Sequence, residues 1–220
     1  MKITRTKVVG GGERVRLYFD DSDEPAELAL DLFMRAGLAS GDELSEARLQ
    51  ELIEEDEIHR ARHAAMNLLA HRARSRAELR RRLWRKEFPD PVIDETLAWL
   101  EERGYVDDRA FAESFVRDRL RLKPRGRVGL IQELRKKGVD SHVAEAAIAA
   151  VMDAEEVDDR SLARQSAEAW ARKNASALRK ARDSTDDRRK ARRRLYGHLA
   201  RRGFAPDAVR AAIDLILHDD

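Results

Sequence analysis

Few residues of this 220-residue chain have the types and spacing that chemistry requires. His59 and His63 lie one helical turn apart, a separation that lets two imidazoles bind one metal ion. Neither an HExxH pattern nor a clearly placed carboxylate surrounds them, so we interpret them as helix-surface residues. The glycine run at residues 10–12 lacks the Gly-Lys-Ser/Thr continuation of a P-loop. It fits the turn of a β-hairpin better.

Two aspartate pairs, Asp107-Asp108 and Asp158-Asp159, could act as paired catalytic carboxylates. Both pairs stand at predicted helix starts, where an aspartate satisfies free backbone N–H groups and its charge is favourable. We therefore interpret them as helix caps. Nothing in the sequence marks a nucleophile, and we predict no enzyme site, no bound metal and no cofactor.

The charges of the chain are unevenly distributed. Residues 1–58 hold 7 Lys/Arg and 15 Asp/Glu, whereas the rest of the chain holds 37 and 27. Basic side chains outnumber acidic ones by ten to one at residues 60–86, by nine to two at 117–137 and by eleven to three at 172–194. This density is typical of surfaces that contact nucleic acid or an acidic partner. A solvated helix face would also carry many charges.

The composition favours a soluble protein of the cytoplasm. The absence of cysteine excludes disulfides and thiolate metal sites, and it fits a reducing compartment. No segment approaches the roughly 20 apolar residues of a membrane span, and residues 1–12 lack the apolar run of a signal peptide. We expect no membrane association.

The elements that would position any site follow from an internal repeat. Apolar residues of the segment 75–100 recur 51 residues later in 126–151, and 65 residues after that in 191–216. A helical unit of this kind buries one apolar stripe and needs its neighbours for stability. The recurring positions are Leu79, Leu83, Phe88, Val92, Leu97 and Leu100 in the first segment, Leu130, Leu134, Val139, Val143, Ile148 and Val151 in the second, and Leu195, Leu199, Phe204, Ala208, Ile213 and Ile216 in the third.

We therefore predict a mainly α fold with three tandem three-helix, helix-turn-helix-like repeats in an elongated curved array. The first helices are expected at about 59–72, 109–122 and 160–174, the second at about 76–86, 127–137 and 188–202, and the third at about 91–102, 142–153 and 206–217. The repeats would span residues 58–108, 109–159 and 160–220. The third repeat carries a basic insertion, roughly residues 174–188, which we expect to be a flexible loop or a helix extension.

The acidic N-terminal segment, residues 1–57, is predicted to be a small β-containing element. Alternating apolar residues indicate a strand near residues 15–19, with weaker strands at 3–9 and 26–32. A separate linking helix, capped by Ser45, is expected at about 46–57.

Gly138 and Gly203 end second helices in the left-handed conformation that glycine tolerates. Glu87 takes the equivalent position in the first repeat. That turn is therefore expected to be strained or differently shaped.

Cations on the second helices form the candidate contact surface. When Leu79 and Leu83 face inward, Arg81 and Arg85 fall on the opposite side of a helix. Trp84 could anchor a partner or stack on a base, although we favour packing between repeats. The candidate contact residues are Arg74, Arg80, Arg81, Trp84, Arg85, Lys123, Arg125, Arg127, Arg135, Lys136, Arg193, Arg194 and Arg201.

Several motifs of the chain resemble the RecX family. They are the run RSRAEL at 74–79, the GYVDD motif at 104–108 and the segment 126–139, which ends in QELRKKGV. The resemblance covers about residues 59–218. Glu87 departs from the family's usual glycine, and the insertion departs from shorter members.

The resemblance implies a regulator that binds the RecA–DNA filament and inhibits RecA ATP hydrolysis, filament growth and strand exchange. It also implies contact with single- and double-stranded DNA, and we expect a monomer. The alternative from another class is a sequence-specific DNA-binding protein built of helix-turn-helix-like repeats. A metal-dependent nuclease is the third hypothesis, and nothing in the sequence favours it.

Overall fold

The computed structural model describes residues 1–218, and over these residues the chain is mainly helical. Its three strands are β1 (Ile3–Val9), β2 (Arg14–Phe19) and β3 (Ala26–Ala29). Its helices are α1 (Leu30–Arg35), α2 (Glu46–His71), α3 (Arg76–Trp84), α4 (Asp90–Glu102), α5 (Asp108–Leu122), α6 (Arg127–Lys136), α7 (Ser141–Ala154), α8 (Asp159–Lys173), α9 (Ala175–Asp183), α10 (Thr185–Ala200) and α11 (Pro206–His218).

The N-terminal segment folds around a three-stranded antiparallel sheet in the order β1-β2-β3. The glycines at residues 10–12 all have positive φ and form the turn between β1 and β2, as predicted. Val15, Leu17 and Phe19 alternate with half-buried residues along β2 and enter the core of this segment. Leu28 of β3 and Leu52 of α2 complete that core.

Two predictions for this segment are wrong. The third strand ends at Ala29, and residues 30–35 form α1 instead of continuing it. The backbone N–H of Ala29 donates to Asp56 at 2.7 Å, so the chain leaves the sheet where it meets α2. The expected separate helices at 46–57 and 59–72 are one helix, α2. No glycine or proline interrupts residues 46–71, and Ser45 caps this continuous helix through the N–H of Arg48.

The three-helix repeats are confirmed. The second helices are α3, α6 and α10, and each buries its repeated leucine pair completely. The predicted insertion is neither a loop nor an extension, because residues 175–183 form the separate helix α9. Ser184 then caps α10 through the N–H of Asp187, and Ala181 anchors α9 in the core.

The two members of each aspartate pair accept hydrogen bonds from two different helices. Asp107 accepts the N–H groups of Arg109 and Ala110 and caps α5 as predicted. Its neighbour Asp108 instead accepts the N–H of Arg76, at the start of α3, at 2.7 Å. The second pair repeats this arrangement 51 residues later.

In the second pair, Asp158 caps α8 in a capping box with Ser161. Asp159 accepts the N–H of Arg127, at the start of α6, at 2.9 Å. The second member of each pair therefore accepts a free N–H group in the first turn of the preceding second helix.

The chain folds into two compact units. One consists of Met1–Arg72 and Leu79–Tyr105, and the other of Ala73–Glu78 and the residues from Val106 onward. Within the second unit, two equivalent hydrogen bonds recur. The hydroxyl of Ser75 donates to the carbonyl of Lys137 at 2.5 Å, and the N–H of Gly126 donates to the carbonyl of Arg202 at 3.1 Å. Both hydrogen bonds join the start of one second helix to the end of the next.

Glu87 adopts the strained conformation expected at its position. Its φ is 65°, close to the 82° of Gly138 at the equivalent turn. The N–H of Phe88 still donates to the carbonyl of Leu83 at 3.4 Å. The turn therefore keeps the left-handed backbone conformation that favours glycine, although Glu87 has a side chain. This conformation costs about 1 kcal/mol of folding free energy.

We predict that Gly129→Ala destabilises the protein by about 1–3 kcal/mol, because backbone must shift to admit the methyl group. A Cβ at Gly129 would overlap the carbonyl oxygen of Arg202. Gly197→Ala is the matched control, since its Cβ would meet only the flexible end of Arg201. The control should stabilise its helix by up to about 1 kcal/mol. Urea unfolding measures both, and equal midpoints for the two variants would contradict the close approach at Gly129.

Candidate partner-binding surface

The exposed side of α3 and the residue directly after its end carry two arginines and a tryptophan. Leu79 and Leu83 are fully buried, which turns Arg81, Trp84 and Arg85 toward solvent. The Trp84 side chain is 65% exposed. The interpretation that we favoured, packing between repeats, is therefore wrong. An exposed indole between two guanidinium groups can stack on a planar group or fill a partner's pocket.

Two predicted contact residues of the first repeat have partners within the protein. Arg74 is only 8% exposed, and its guanidinium pairs with the carboxylate of Glu78 at 2.6 Å. This burial removes Arg74 from the candidate surface. Arg80 is half-buried and pairs with Asp90 at 3.1 Å and with Asp94, which ties α3 to α4. Its charge is largely offset inside the first repeat.

The loop before α6 presents a mixed set of cations. Lys123 and Arg127 are exposed. Arg125 is half-buried and pairs with Glu133 at 2.9 Å. Glu133 also pairs with Arg119 at 2.6 Å, so one carboxylate forms ion pairs with two guanidinium groups. Positive charge remains in excess at this loop.

The ends of α6 and α10 carry the remaining predicted residues. Arg135 and Lys136 are exposed in the last turn of α6, where cations also interact favourably with the helix dipole. Arg193 and Arg194 are exposed on α10, and Arg201 is exposed at its C-cap. These five side chains have the accessibility that a contact surface requires.

Sequence reasoning missed Arg202 and His198. Arg202 is half-buried, and its Nη1 lies 3.0 Å from Nδ1 of His198. Burial, reinforced by the positive charges of Arg202 and Arg201, lowers the pKa of His198 to about 4. The 65-residue register could have found Arg202, since it places Arg202 opposite Lys137 of the second repeat.

The histidine pair of α2 lies on an exposed surface. His59 is 3.9 Å from the carboxylate of Asp31, and His63 is within 3.4 Å of Asn67. Within residues 1–218, no group of three or more His, Cys, Asp or Glu side chains is arranged to hold a metal ion. A cavity of about 760 Å³ opens beside these histidines, and Met34 contributes to its wall.

Repeated three-helix units with exposed cations on their second helices define a helical-repeat protein. The chain matches three family models in order, described as the first, second and third three-helix domains of RecX, over residues 61–100, 107–148 and 164–213. No helix among residues 1–218 has the length and apolar character needed to span a membrane.

Relatives and solved structures agree with these matches. The regulatory protein RecX of Mycolicibacterium vanbaalenii is 39% identical over 66% of this chain and 75% of its own. That of Clostridium botulinum is 27% identical over 99% of both chains. A crystal structure of a regulatory protein RecX covers 100% of both chains with a TM-score of 0.69 and 21% identity. The RecX structure from Lactobacillus salivarius covers 74% of this chain and 97% of its own, with a TM-score of 0.60 and 25% identity. The chain belongs to the RecX family of regulatory proteins.

We predict that Trp84→Ala changes the free energy of unfolding by less than about 0.5 kcal/mol, because its side chain is solvated in the folded protein. Leu83→Ala, one residue away on the buried side, should cost about 2–5 kcal/mol. Chemical denaturation followed by circular dichroism compares the two variants. A large loss of stability in Trp84→Ala would show that the indole packs inside the protein.

Proposed function

We propose that this protein binds the filament that RecA forms on DNA and inhibits RecA ATP hydrolysis, filament growth and strand exchange. Its relatives are named regulatory proteins, which supports a regulatory role. The observation that carries the proposal is the set of exposed cations on the second helices of all three repeats. In the first repeat these cations are Arg81 of α3 and Arg85 directly after its end, on either side of the exposed Trp84 in the sequence.

The electrostatics of these helices support a polyanionic target. The candidate cations of α6 and α10 form no ion pair with a carboxylate within residues 1–218, so they can be offered to a partner. Arginine binds phosphate and carboxylate oxygens with its planar fork, and positive surfaces speed association with negative partners. Contacts from three repeats on one chain also add avidity, because the later contacts are intramolecular.

Inhibition requires no bond-making by this chain. A ligand shifts an equilibrium by the difference between its affinities for the two states. A protein that binds a filament state in which ATP hydrolysis or subunit addition is slow therefore suppresses turnover by binding alone. We propose that the repeats at 58–108, 109–159 and 160–220 supply these contacts. We further propose that the protein acts as a cytoplasmic monomer in recombinational DNA repair and the SOS response.

The test of this proposal is RecA ATPase on single-stranded DNA with increasing amounts of the protein. We predict that Arg81→Glu with Arg85→Glu needs about tenfold more protein for half inhibition, because two attractive contacts become repulsive. Both arginines are exposed, so circular dichroism and the unfolding midpoint should not change.

The matched control is Lys7→Glu with Arg210→Glu. This pair changes the net charge equally and alters exposed residues of β1 and α11, outside the candidate surface. It should inhibit like the unmodified protein. Normal inhibition by the α3 variant would remove that helix from the contact. Strong preference for one duplex sequence without RecA would instead favour a sequence-specific DNA-binding protein.

A further inference from the structure

The end of α10 holds a guanidinium group in a fixed position. The carbonyl of Arg202 accepts the N–H of Gly126 at 3.1 Å, which anchors its backbone at the start of α6. Its side chain lies over the last turn of α10, with Nη1 3.0 Å from Nδ1 of His198. Nε2 of His198 is 3.4 Å from the hydroxyl of Ser166 on α8, and the imidazole lies beside the Trp170 ring. The backbone of Arg202 is therefore anchored at the start of α6, and its guanidinium group contacts an imidazole that is positioned by α8.

This guanidinium group lacks a counter-charge within the described part of the chain. Burial and the nearby cations Arg125 and Arg201 lower the pKa of Arg202. Glu133, the carboxylate that pairs with Arg125 at 2.9 Å, also pairs with Arg119 at 2.6 Å. A half-buried cation among other cations is costly unless an anion completes the site.

The other carboxylate at this turn is also occupied. Asp159 accepts the N–H of Arg127 through Oδ1 at 2.9 Å and the N–H of Ala205 through Oδ2 at 3.0 Å. Both of its oxygens therefore satisfy helix starts, and Arg202 forms no ion pair with it within residues 1–218.

The imidazole beside Arg202 cannot act as the missing anion, and it adds no positive charge at neutral pH. Burial lowers the pKa of His198 to about 4, and the positive charges of Arg202, Arg201 and Lys173 lower it in the same direction. At neutral pH the ring is therefore uncharged and its Nδ1 can accept an N–H of Arg202. Lys173, at the end of α8, is a further exposed cation, and it is close enough for its charge to act on His198.

The equivalent residue of the second repeat has a different environment. Lys137 stacks its ammonium group on the rings of Phe111, at 5.8 Å, and Phe115, at 5.1 Å. Its charge is satisfied by aromatic faces inside the protein. The third repeat thus departs from the second at this position by leaving a cation cluster without such a partner.

We propose that the end of α10 is a binding subsite for a phosphate group of a nucleic-acid backbone. Cations from three elements converge there, which suits an acceptor with several oxygens better than a single carboxylate. The exposed Lys123 of the neighbouring loop and Arg127 at the start of α6 provide positive charge for adjacent phosphates. The inference rests on the proposed function for the presence of DNA but does not require RecA. The subsite comprises Arg125, Lys173, Arg201 and Arg202, with His198 positioning the Arg202 guanidinium.

The test uses the full chain and a fluorescent oligothymidylate, with anisotropy measured over a range of salt concentrations. We predict that Arg202→Gln binds about tenfold more weakly and that its log–log salt slope falls by about 0.7, the loss of one phosphate contact on single-stranded DNA. Arg202→Lys should keep most of the slope, because it keeps the charge. Lys137→Gln is the matched control and should bind like the unmodified protein.

Two further readouts keep the subsite testable if Arg202→Gln is poorly folded. In the unmodified protein, the oligonucleotide should raise the pKa of His198 measured by NMR, because a bound anion offsets the repulsion from neighbouring cations. Inorganic phosphate should raise the melting temperature of the unmodified protein more than that of Lys173→Gln, because phosphate also stabilises folded proteins in general and only the difference reports the subsite. Arg202→Lys should show the same gain.

The outcomes separate the sources of the anion. A response to inorganic phosphate with unchanged oligonucleotide binding in Arg202→Gln would overturn the assignment to a nucleic-acid backbone. Unchanged oligonucleotide binding with lost RecA inhibition would assign the subsite to an acidic protein segment instead, and would also overturn it. Weaker oligonucleotide binding would support the subsite even if the unmodified protein failed to inhibit RecA, in which case only the proposed function fails.

Discussion

Burial of one leucine pair in each second helix determines which side of that helix carries the exposed cations. The pairs of α3, α6 and α10 are fully buried, and because a helix turns 100° per residue, neighbours such as Arg81 and Arg85 must face solvent. Each pair excludes a large apolar area from water, at about 1.5–3 kcal/mol per side chain. The exposure of these candidate contact residues is thus a consequence of the core that stabilises each repeat.

The hydrogen bonds that recur along the chain show how the repeats are joined. The second helices α3 and α6 begin where an aspartate at the start of the following first helix accepts an N–H group, as Asp108 does for Arg76 and Asp159 for Arg127. At the later joint, glycine lets backbone meet backbone without an intervening side chain. The same joint carries Arg202. We infer that this backbone contact keeps the half-buried Arg202 in place before the proposed phosphate group binds.

The sequence was sufficient for the repeats, the hairpin, the caps and the left-handed turn at Glu87, because periodicity and local backbone chemistry determine them. The boundary expected near residue 58 rested on the change from acidic to basic composition, which alters the charge of the segment but not its helix-forming tendency, and α2 continues through it. Burial of Arg74 and exposure of Trp84 depend on tertiary packing, which a single helix does not specify. The register of the repeats aligns Arg202 with Lys137, but the absence of a counter-charge at Arg202 within residues 1–218 depends on the side chains that surround it in the fold.

Binding to a nucleoprotein filament is the proposition on which the functional interpretation depends. Its most direct measurement is co-sedimentation of the protein with RecA filaments assembled on long single-stranded DNA, beside the same DNA alone and RecA alone. We expect most of the protein to pellet with the filament, less with bare DNA, little with free RecA, and the retained fraction to fall as salt is raised. Equal retention on bare DNA, or no retention on the filament, would contradict the interpretation.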